Sequence, residues 1–303
     1  MLFRTGRGTG TPPRDPTPPI LRAAALALAA AVLFTGEVVF VKLLANTVPV
    51  TTIMLARSAG QIVYVAPLLL RRGAVLLRTT RPLLHLARGT FSLVCWGLYY
   101  WSLQRLDLAT ATVLSFTSVM FVTALAGPVL GEIVRWRRWT ATIVGFLGVV
   151  LVAKPFDMTI DPAIGIALLS ALFGSGIVLT TKKLAVTERT ETILLYIGFV
   201  TFGGSLPVAL PNLTLPEPWQ AFWLVLMGVA GPAGMHLWIN AFRLADATVV
   251  SPLGYTRLVF STVAGVAMFG EVPDAWMAAG AVLIVGSALY ITLREAKVAR
   301  VGR

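Results

Sequence analysis

The chain has 303 residues, of which 57% are hydrophobic and only 13% are charged, and its mean hydropathy is +0.82. Soluble globular domains carry about 25% charged residues, so this composition excludes a soluble enzyme, a disordered protein and a disulfide scaffold. One cysteine excludes an intrachain disulfide, and together with two histidines it is too few for a dedicated zinc site. The composition therefore indicates a polytopic membrane protein that lies in a lipid bilayer.

Ten apolar segments fit a membrane-spanning helix, which needs about 20 residues, although the fifth segment is short. The predicted spans are residues 21–45, 48–70, 84–103, 109–130, 138–153, 163–182, 191–210, 219–241, 247–269 and 275–293. The predicted fold is all-α. Residues 1–20 are rich in Pro, Gly, Thr and Arg and cannot bury a core, so we expect a disordered tail there. Residues 296–303 form a second short tail.

The net charge of +12 is high enough to suggest nucleic-acid binding, but the distribution of the basic residues indicates a membrane topology instead. With the N-terminus inside, the inside segments carry 20 of the 25 basic residues and the outside segments carry only Arg105 and Lys154. Lys42, Arg57 and Arg257 fall within spans, where Lys42 and Arg57 are near enough to the outer ends to snorkel. The asymmetry predicts an even number of spans and cytoplasmic termini in an inner membrane, with no nucleic-acid partner.

Two stretches of the chain are similar to each other. Arg105–Thr110 and Arg243–Thr248 both read Arg-Leu-x-x-Ala-Thr and both open a span, while Gly131–Glu132 and Gly270–Glu271 end those spans. The offsets are 138 and 139 residues, which correspond to five helices. Because five is odd, the two copies must have opposite orientations, as in the inverted repeats of secondary transporters. The alternative is that Arg-Leu near a helix start recurs by chance.

On these motifs the chain resembles the drug/metabolite transporter superfamily, in its EamA-type ten-helix class, over about residues 22–295. The resemblance implies two inverted five-helix EamA-type repeats, residues 21–153 and 163–295. It also implies a central cavity between the halves through which substrate passes, and no ATPase. Within the class the aromatic residues described below are most similar to those of YddG-type amino-acid exporters. The class also contains importers of S-adenosylmethionine.

Enzyme motifs are missing from the sequence. There is no G-x-x-x-x-G-K-[ST] phosphate loop and no H-E-x-x-H zinc motif, which argues against ATP-driven pumping within the chain and against an intramembrane zinc protease. The Gly174–Gly176 stretch indicates close helix packing through small residues. We therefore predict no enzyme activity, no metal and no cofactor, with a membrane-embedded enzyme and a structural scaffold as the alternatives.

Polar residues at membrane depth are the first group of candidate binding residues, because burying them is costly unless they face a cavity or a partner. Glu37 is the only acidic residue near the middle of a span. Arg57 and Gln61 share a face of the second span at i and i+4, and His236 and Asn240 share a face of the eighth span in the same way. The alternatives are a purely structural ion pair for Glu37 and neutral packing for His236.

Aromatic residues form the second group. Trp96, Tyr99 and Tyr100 share one broad face of the third span, and Trp96 lies too deep for an interfacial belt. Trp238 and Tyr255 add rings in the eighth and ninth spans. These rings near polar residues predict an amphipathic pocket for amino acids with apolar side chains, or for cations held by ring faces. The alternative is ordinary core or lipid-facing aromatics.

The sequence therefore predicts a secondary transporter, expected as a monomer, that exports amino acids or related small metabolites by alternating access. The alternative within the class is an importer of a nucleotide-like metabolite such as S-adenosylmethionine. Helix geometry places Glu37 and Arg57 in the outer half of the bilayer, about 8 Å apart in depth. We predict that these two residues pair and that they recognise the charged ends of a zwitterion.

Overall fold

The structure is a computed structural model that describes residues 19–131, 136–153, 161–213, 215–245, 250 and 253–301. The described residues contain helices and no strand. The first half of the chain forms α1 (Pro19–Leu44), α2 (Val50–Arg72), α3 (Pro82–Leu103), α4 (Leu108–Ser115), α5 (Ser118–Leu130) and α6 (Trp136–Ala153). The second half forms α7 (Pro162–Ala185), α8 (Thr190–Ala209), α9 (Pro218–Leu244), α10 (Thr256–Phe269) and α11 (Ala275–Val301). Short 3₁₀ turns at Gly73–Leu77 and Leu210–Asn212 follow α2 and α8.

Within the described residues, six helical segments are long and apolar enough to cross a membrane, and three shorter apolar helices accompany them. The predicted all-α membrane fold is confirmed, and the helix bounds lie close to the predicted spans. The predicted disordered tail lies outside the described residues except for Pro19 and Ile20, which begin α1. At the other terminus α11 continues to Val301, through most of the predicted second tail. Glu132 and residues 246–249 and 251–252 of the predicted ninth span also lie outside the described residues.

The predicted span over residues 109–130 is not one continuous helix, because a turn at Phe116 and Thr117 separates α4 from α5, although Leu108–Leu125 is still long and apolar enough to cross a membrane. The Thr117 backbone N–H donates to the carbonyl of Leu114 at 3.1 Å, and the Thr117 hydroxyl donates to the same carbonyl at 2.6 Å. The Ser115 hydroxyl donates to the carbonyl of Thr112, also at 2.6 Å. Hydroxyls that bond the preceding turn compete with regular helix hydrogen bonds, which explains the break.

Helix packing repeats between the two halves of the chain. The helices α7, α8 and α9 of the second half correspond to α1, α2 and α3 of the first. The packing of α1 on α9 then matches the packing of α7 on α3. In the same way, the packing of α2 on α9 matches the packing of α8 on α3. The remaining corresponding pairs pack on each other, α2 on α8 and α6 on α11. The bundle therefore has the internal pseudo-symmetry of a two-repeat fold.

Contacts at the helix ends show that the two repeats are inverted. Lys42, near the end of α1, donates to the carbonyl of Leu106 at 2.8 Å, so α1 and α3 end together. At the opposite end, Arg72 of α2 lies 3.3 Å from Glu191 at the start of α8. Glu188, just beyond α7, accepts a hydrogen bond from Thr79 at 2.7 Å at that same end. Thus α1 and its counterpart α7 end on opposite sides of the bundle. We call the side with Lys42 the acidic end and the side with Arg72 the basic end.

Carboxylates cap the helices that begin at the acidic end. Asp161 and Asp274 accept hydrogen bonds from backbone N–H groups in the first turns of α7 and α11, each at 2.8 Å. Glu217 forms a capping box with Gln220 at the start of α9, and Glu271 accepts from the first backbone N–H of α4 at 2.7 Å. A helix N-terminus carries partial positive charge, so it stabilises a nearby carboxylate. This capping accounts for the concentration of acidic residues at this end.

Candidate functional site

A buried ion pair lies at the centre of the bundle. Arg57 Nε on α2 donates to Glu37 Oε1 on α1 at 2.5 Å, and the Tyr100 hydroxyl on α3 donates to the same oxygen at 2.7 Å. Glu37 is 1% exposed and Tyr100 is fully buried. A charge removed from water in this way is stable only when its partner and its hydrogen bonds are in place. The predicted pairing of Glu37 with Arg57 is confirmed, and Tyr100 is a third member of the group.

Glycines on α2 and α9 allow the helices to enclose this ion pair. A Cβ atom added to Gly231 of α9 would lie 2.7 Å from Glu37 Oε1. A Cβ atom added to Gly60 of α2 would lie 2.5 Å from the Cα of Gly228. Any larger side chain at these two positions would therefore push α9 away from α1 and α2.

Aromatic rings connect the ion pair to a second arginine. The guanidinium of Arg57 lies over the Trp96 ring, 4.3 Å from its centroid. The rings of Trp96 and Tyr99 are neighbours, with centroids 6.1 Å apart. The Tyr99 hydroxyl accepts a hydrogen bond from Arg257 Nη2 on α10 at 3.1 Å. This run of side chains joins α1, α2, α3 and α10, and it combines cationic groups with aromatic faces, an arrangement that binds polar and planar groups.

A cavity of about 360 Å³ lies beside this run of side chains. Its wall includes Phe34, Phe116, Val178, Trp238, Tyr255 and Arg257. Val178 and Trp238 lie in the last third of α7 and α9, so the cavity occupies the half of the bundle nearer the basic end. The turn between α4 and α5 contributes to the wall through Phe116, whose ring centroid lies 5.1 Å from that of Tyr255.

The acidic half of the bundle contains an apolar core and an ion pair, and a separate cavity of about 340 Å³ at this end is lined by residues that include Arg105, Glu271 and Asp274. Leu44, Leu103 and Leu108, at the ends of α1 and α3 and at the start of α4, are completely buried in the largest hydrophobic cluster of the described residues. At this same end, Lys42 Nζ forms an ion pair with Glu271 Oε1, while Glu271 Oε2 caps α4. Through these two contacts, Glu271 connects the end of α1 and the end of α10 to the start of α4. Lys42 was expected to reach towards the lipid headgroups, but in the structure its ammonium group contacts Glu271 instead.

The structure brings most of the predicted site residues together. Glu37, Arg57, Trp96, Tyr99 and Tyr100 form the central cluster, and Trp238 and Tyr255 line the adjoining cavity.

Three predicted residues lie elsewhere. Gln61 donates to the carbonyl of Leu194 on α8 at 2.8 Å, and His236 Nδ1 lies 2.9 Å from the Tyr64 hydroxyl. His236 and Asn240 line a separate pocket of about 150 Å³ between α2, α8 and α9. Substrate binding by these three residues stays a prediction.

Arg88 and Arg257 were not among the site residues predicted from the sequence. Arg88, counted among the basic residues of the inside segments, is 4% exposed in α3. Its Nε donates to the Thr181 hydroxyl at 2.7 Å, and its Nη1 donates to Ser92. Both arginines carry the same signal as Arg57, an ionisable group within a helix of the bundle. In the described part of the chain, no group of three or more His, Cys, Asp and Glu side chains is placed to hold a metal ion.

The fold and the site define a multi-pass membrane protein in which two repeats enclose a buried polar site. Residues 21–154 and 161–293 each match the model of the EamA-like transporter family. The chain belongs to the EamA-like transporter family, and its resemblance to the drug/metabolite transporter superfamily is confirmed.

Several relatives are similar over most of the chain. The S-adenosylmethionine uptake transporter of Rickettsia prowazekii (strain Madrid E) is 34% identical over 76% of this chain and 79% of its own. The riboflavin transporter of Vibrio cholerae serotype O1 is 31% identical over 83% of this chain and 86% of its own. The pseudopaline exporter CntI of Pseudomonas aeruginosa (strain UCBPP-PA14) is 28% identical over 88% of this chain and 94% of its own. A solved crystal structure, 19% identical, covers 89% of this chain with a TM-score of 0.57, which supports the fold alone.

Proposed function

We propose that this protein is a secondary transporter that moves amino acids or related small metabolites across the inner membrane by alternating access, in the direction of export. The observation that carries the proposal is the difference between the two halves of the bundle. The cavity of about 360 Å³ adjoins the central cluster on the side of the basic end through Arg257. The lining of the cavity at the acidic end includes no residue of the cluster, and completely buried leucines and the Lys42–Glu271 ion pair lie at that end. Such an arrangement is what one of the two access states of a transporter requires.

The substrate class follows from the chemistry beside the cavity. Arg257 and the Glu37–Arg57 pair offer both signs of charge, and rings such as Trp96 and Trp238 offer apolar and planar surface. A small zwitterion with an apolar side chain is complementary to both features. This complementarity supports an amino acid or a compound that carries an amino-acid group.

Import of S-adenosylmethionine is the second candidate function. It is favoured by the relative from Rickettsia prowazekii, which is 34% identical and named as an uptake transporter for that compound. None of the three relatives described above is named an amino-acid exporter. S-adenosylmethionine carries an α-amino-acid group and a planar adenine, so the same cluster and the same aromatic walls suit it.

The orientation and state of the chain are part of the proposal. The excess of basic residues in one set of connecting segments supports a cytoplasmic basic end. Reporter enzymes fused after Arg81, Lys183 and Arg303 should then be cytoplasmic, and fusions near Asp161 and Asn212 should lie on the other side. A cytoplasmic reporter at Asp161 would contradict this orientation. We propose that the protein acts as a monomer without enzyme activity of its own.

Counterflow in proteoliposomes tests the function. Purified protein is reconstituted into liposomes loaded with one unlabelled compound, and uptake of the same labelled compound is followed with and without an imposed pH gradient. The panel contains apolar, aromatic and charged amino acids and S-adenosylmethionine. We expect accumulation above that of protein-free liposomes for a subset of the panel. Absence of accumulation for every compound, with folded protein in the liposomes, would count against the proposed substrates, and chemical conversion of a compound would favour an enzyme.

A further inference from the structure

The centre of the bundle carries more positive than negative charge. Arg57 on α2 and Arg88 on α3 are buried, and Arg257 on α10 donates a hydrogen bond to the buried Tyr99. Within the part of the chain that the structure describes, Glu37 is the carboxylate that pairs with one of them, Arg57. Arg88 and Arg257 have no carboxylate of the described residues within ion-pair distance. Uncompensated cations are expensive at membrane depth, so this surplus is an unusual feature of the site.

Of the two arginines, Arg257 is the one that contributes to the cavity wall. A guanidinium has five N–H donors and no acceptor. The described residues accept one hydrogen bond from Arg257, at the Tyr99 hydroxyl, and its Nε is buried without a partner. Arg88, in contrast, donates to both Thr181 and Ser92. Arg257 therefore has unused capacity for an acceptor, and a guanidinium binds a carboxylate through two parallel hydrogen bonds.

The rest of the cavity wall suits the remainder of an organic acid. Phe34, Phe116, Trp238 and Tyr255 contribute rings, and the described lining residues include no carboxylate. The cavity volume of about 360 Å³ exceeds that of a single aromatic amino acid, so a molecule of that size fits beside Arg257.

We propose that Arg257 is the binding site for a carboxylate group of the substrate, with the rings of Phe116, Trp238 and Tyr255 packing against its apolar part. Tyr99 holds the guanidinium in place through its hydroxyl and is a positioning residue. This proposal rests on the proposed function, and it restricts the substrates to compounds with a carboxylate. An amine that lacks this group is not held at the site.

Three probes that share one ring system isolate the role of the charge. Indole-3-acetate carries a carboxylate, indole-3-acetamide replaces it with a neutral amide of similar shape, and tryptamine carries an ammonium group. Hexanoate and hexanamide form a second pair without an aromatic ring. Binding is measured on the purified full-length protein, in detergent without anionic lipid, from the change in melting temperature. This measurement does not depend on transport, so a failure of the proposed function and a failure of the anion site remain distinguishable.

The variants separate the charge of Arg257 from its hydrogen bonds. Arg257→Gln removes the charge, Arg257→Lys keeps the charge without the planar fork, and Tyr99→Phe removes the hydroxyl that positions the guanidinium. Arg105→Gln is the matched control, because Arg105 is an exposed arginine at the acidic end, stacked 3.8 Å from the centroid of the Trp101 ring. It removes the same charge far from the cavity.

We expect indole-3-acetate to raise the melting temperature by about 3 °C at saturation in the wild type and in Arg105→Gln. The amide and tryptamine should raise it by less than half as much. Arg257→Gln should lower the affinity for the acid about 10- to 100-fold, the size expected for lost hydrogen bonds to a charged group, and Arg257→Lys and Tyr99→Phe should have intermediate affinities. If Arg257→Gln does not fold, Arg257→Lys and Tyr99→Phe still decide the question. No shift with either acid, equal shifts with acid and amide, or unchanged affinity in the Arg257 variants would overturn the proposal.

Discussion

Two ion pairs involve residues of α1 that are only five positions apart, and they differ in their burial and in the helices that they join. Glu37 pairs with Arg57 deep in the bundle, where both side chains are less than 10% exposed, and Tyr100 completes the group. Lys42 pairs with Glu271 at the acidic end, where both side chains remain partly exposed. The first pair joins neighbouring helices of one repeat, whereas the second joins the two repeats.

The two pairs therefore have different roles: the Glu37–Arg57 pair builds the site, and the Lys42–Glu271 pair connects the two repeats at the acidic end. The Glu37–Arg57 pair cannot separate without leaving a charge in an apolar interior, so it is a fixed part of the site. The Lys42–Glu271 pair lies nearer the end of the bundle, with side chains 16% and 10% exposed, so its charges can regain contact with water when the two residues separate. A contact that joins the two repeats near one end of the bundle has the position expected of a gate.

The largest expected effect comes from breaking the buried pair. Glu37→Gln leaves Arg57 without a counter-charge, and we expect the folded state to lose about 3–5 kcal/mol together with most transport activity. Arg57→Gln should behave similarly. The double variant should be less impaired than the two losses added together, because both single changes remove one shared interaction. Initial transport rates in liposomes and thermal unfolding provide the two readouts of this double-mutant cycle.

The matched control for the buried pair is the exposed pair of Arg72 and Glu191 at the basic end. Glu191→Gln removes the same charge and should change the free energy of unfolding by about 1 kcal/mol or less. Strictly additive losses in the Glu37 and Arg57 variants would mean that the two residues act independently, and the view of the pair as one unit would then have to be abandoned.

An added methyl group beside the pair should have the second largest effect. Gly231→Ala places a Cβ atom 2.7 Å from Glu37 Oε1, so α9 or the carboxylate must move. We expect a loss of about 1–3 kcal/mol in thermal unfolding, the usual cost of overpacking. Gly203→Ala on α8 is the control, because its added Cβ has no described atom within 4 Å. Equal stability of the two variants would show that α9 adjusts without strain.

Changing the contact at the acidic end should alter the balance between the access states. Glu271→Gln weakens both the pair with Lys42 and the cap of α4, and the loss of the cap alone is worth about 1–2 kcal/mol. A shift of that size in the balance between access states corresponds to a factor of about 5–30. In a Cys95→Ser background, a cysteine introduced at Val119 in the cavity wall should react correspondingly faster with an impermeant maleimide applied from the acidic end.

Asp161→Asn is the matched variant for this experiment. It removes a capping carboxylate at the same end without touching Lys42, and we expect its labelling rate to stay near that of the parent. If Glu271→Gln and Asp161→Asn increase labelling equally, general loosening of the acidic end explains the result and the gate does not.

Much of the fold was predictable from the sequence because its determinants are local. A spanning helix must satisfy its own backbone hydrogen bonds, so apolar segments about 20 residues long locate the helices almost by themselves. The turn at Phe116 and Thr117 was not predictable in this way, because hydroxyl-containing residues are also common within continuous helices. The contact of Lys42 with Glu271 joins residues 229 positions apart, and no local pattern indicates which distant residue such a lysine meets.

The site was predictable where two residues lie on adjacent helices of one hairpin. Glu37 and Arg57 were expected to meet because consecutive helices are antiparallel and their depths are similar. Periodicity also placed Gln61 on one face of α2, but it does not specify which neighbouring helix that face meets. Gln61 contacts α8 rather than the central cluster, since its amide donates to the carbonyl of Leu194.

The smallest expected effects concern the separate pocket between α2, α8 and α9, and they sharpen the distinction between the central site and its surroundings. Trp238 and Asn240 lie two residues apart on α9, but Trp238 lines the central cavity whereas Asn240 lines the separate pocket. If the separate pocket takes no part in transport, Asn240→Ala and His236→Gln should change initial transport rates by no more than about twofold, which corresponds to less than about 0.5 kcal/mol. Trp238→Ala, which removes a ring from the cavity wall, should reduce transport about tenfold, the effect of roughly 1.4 kcal/mol of lost binding free energy. If Asn240→Ala impairs transport as strongly as Trp238→Ala while both proteins fold normally, the second pocket is part of the substrate path, and the site extends across α9.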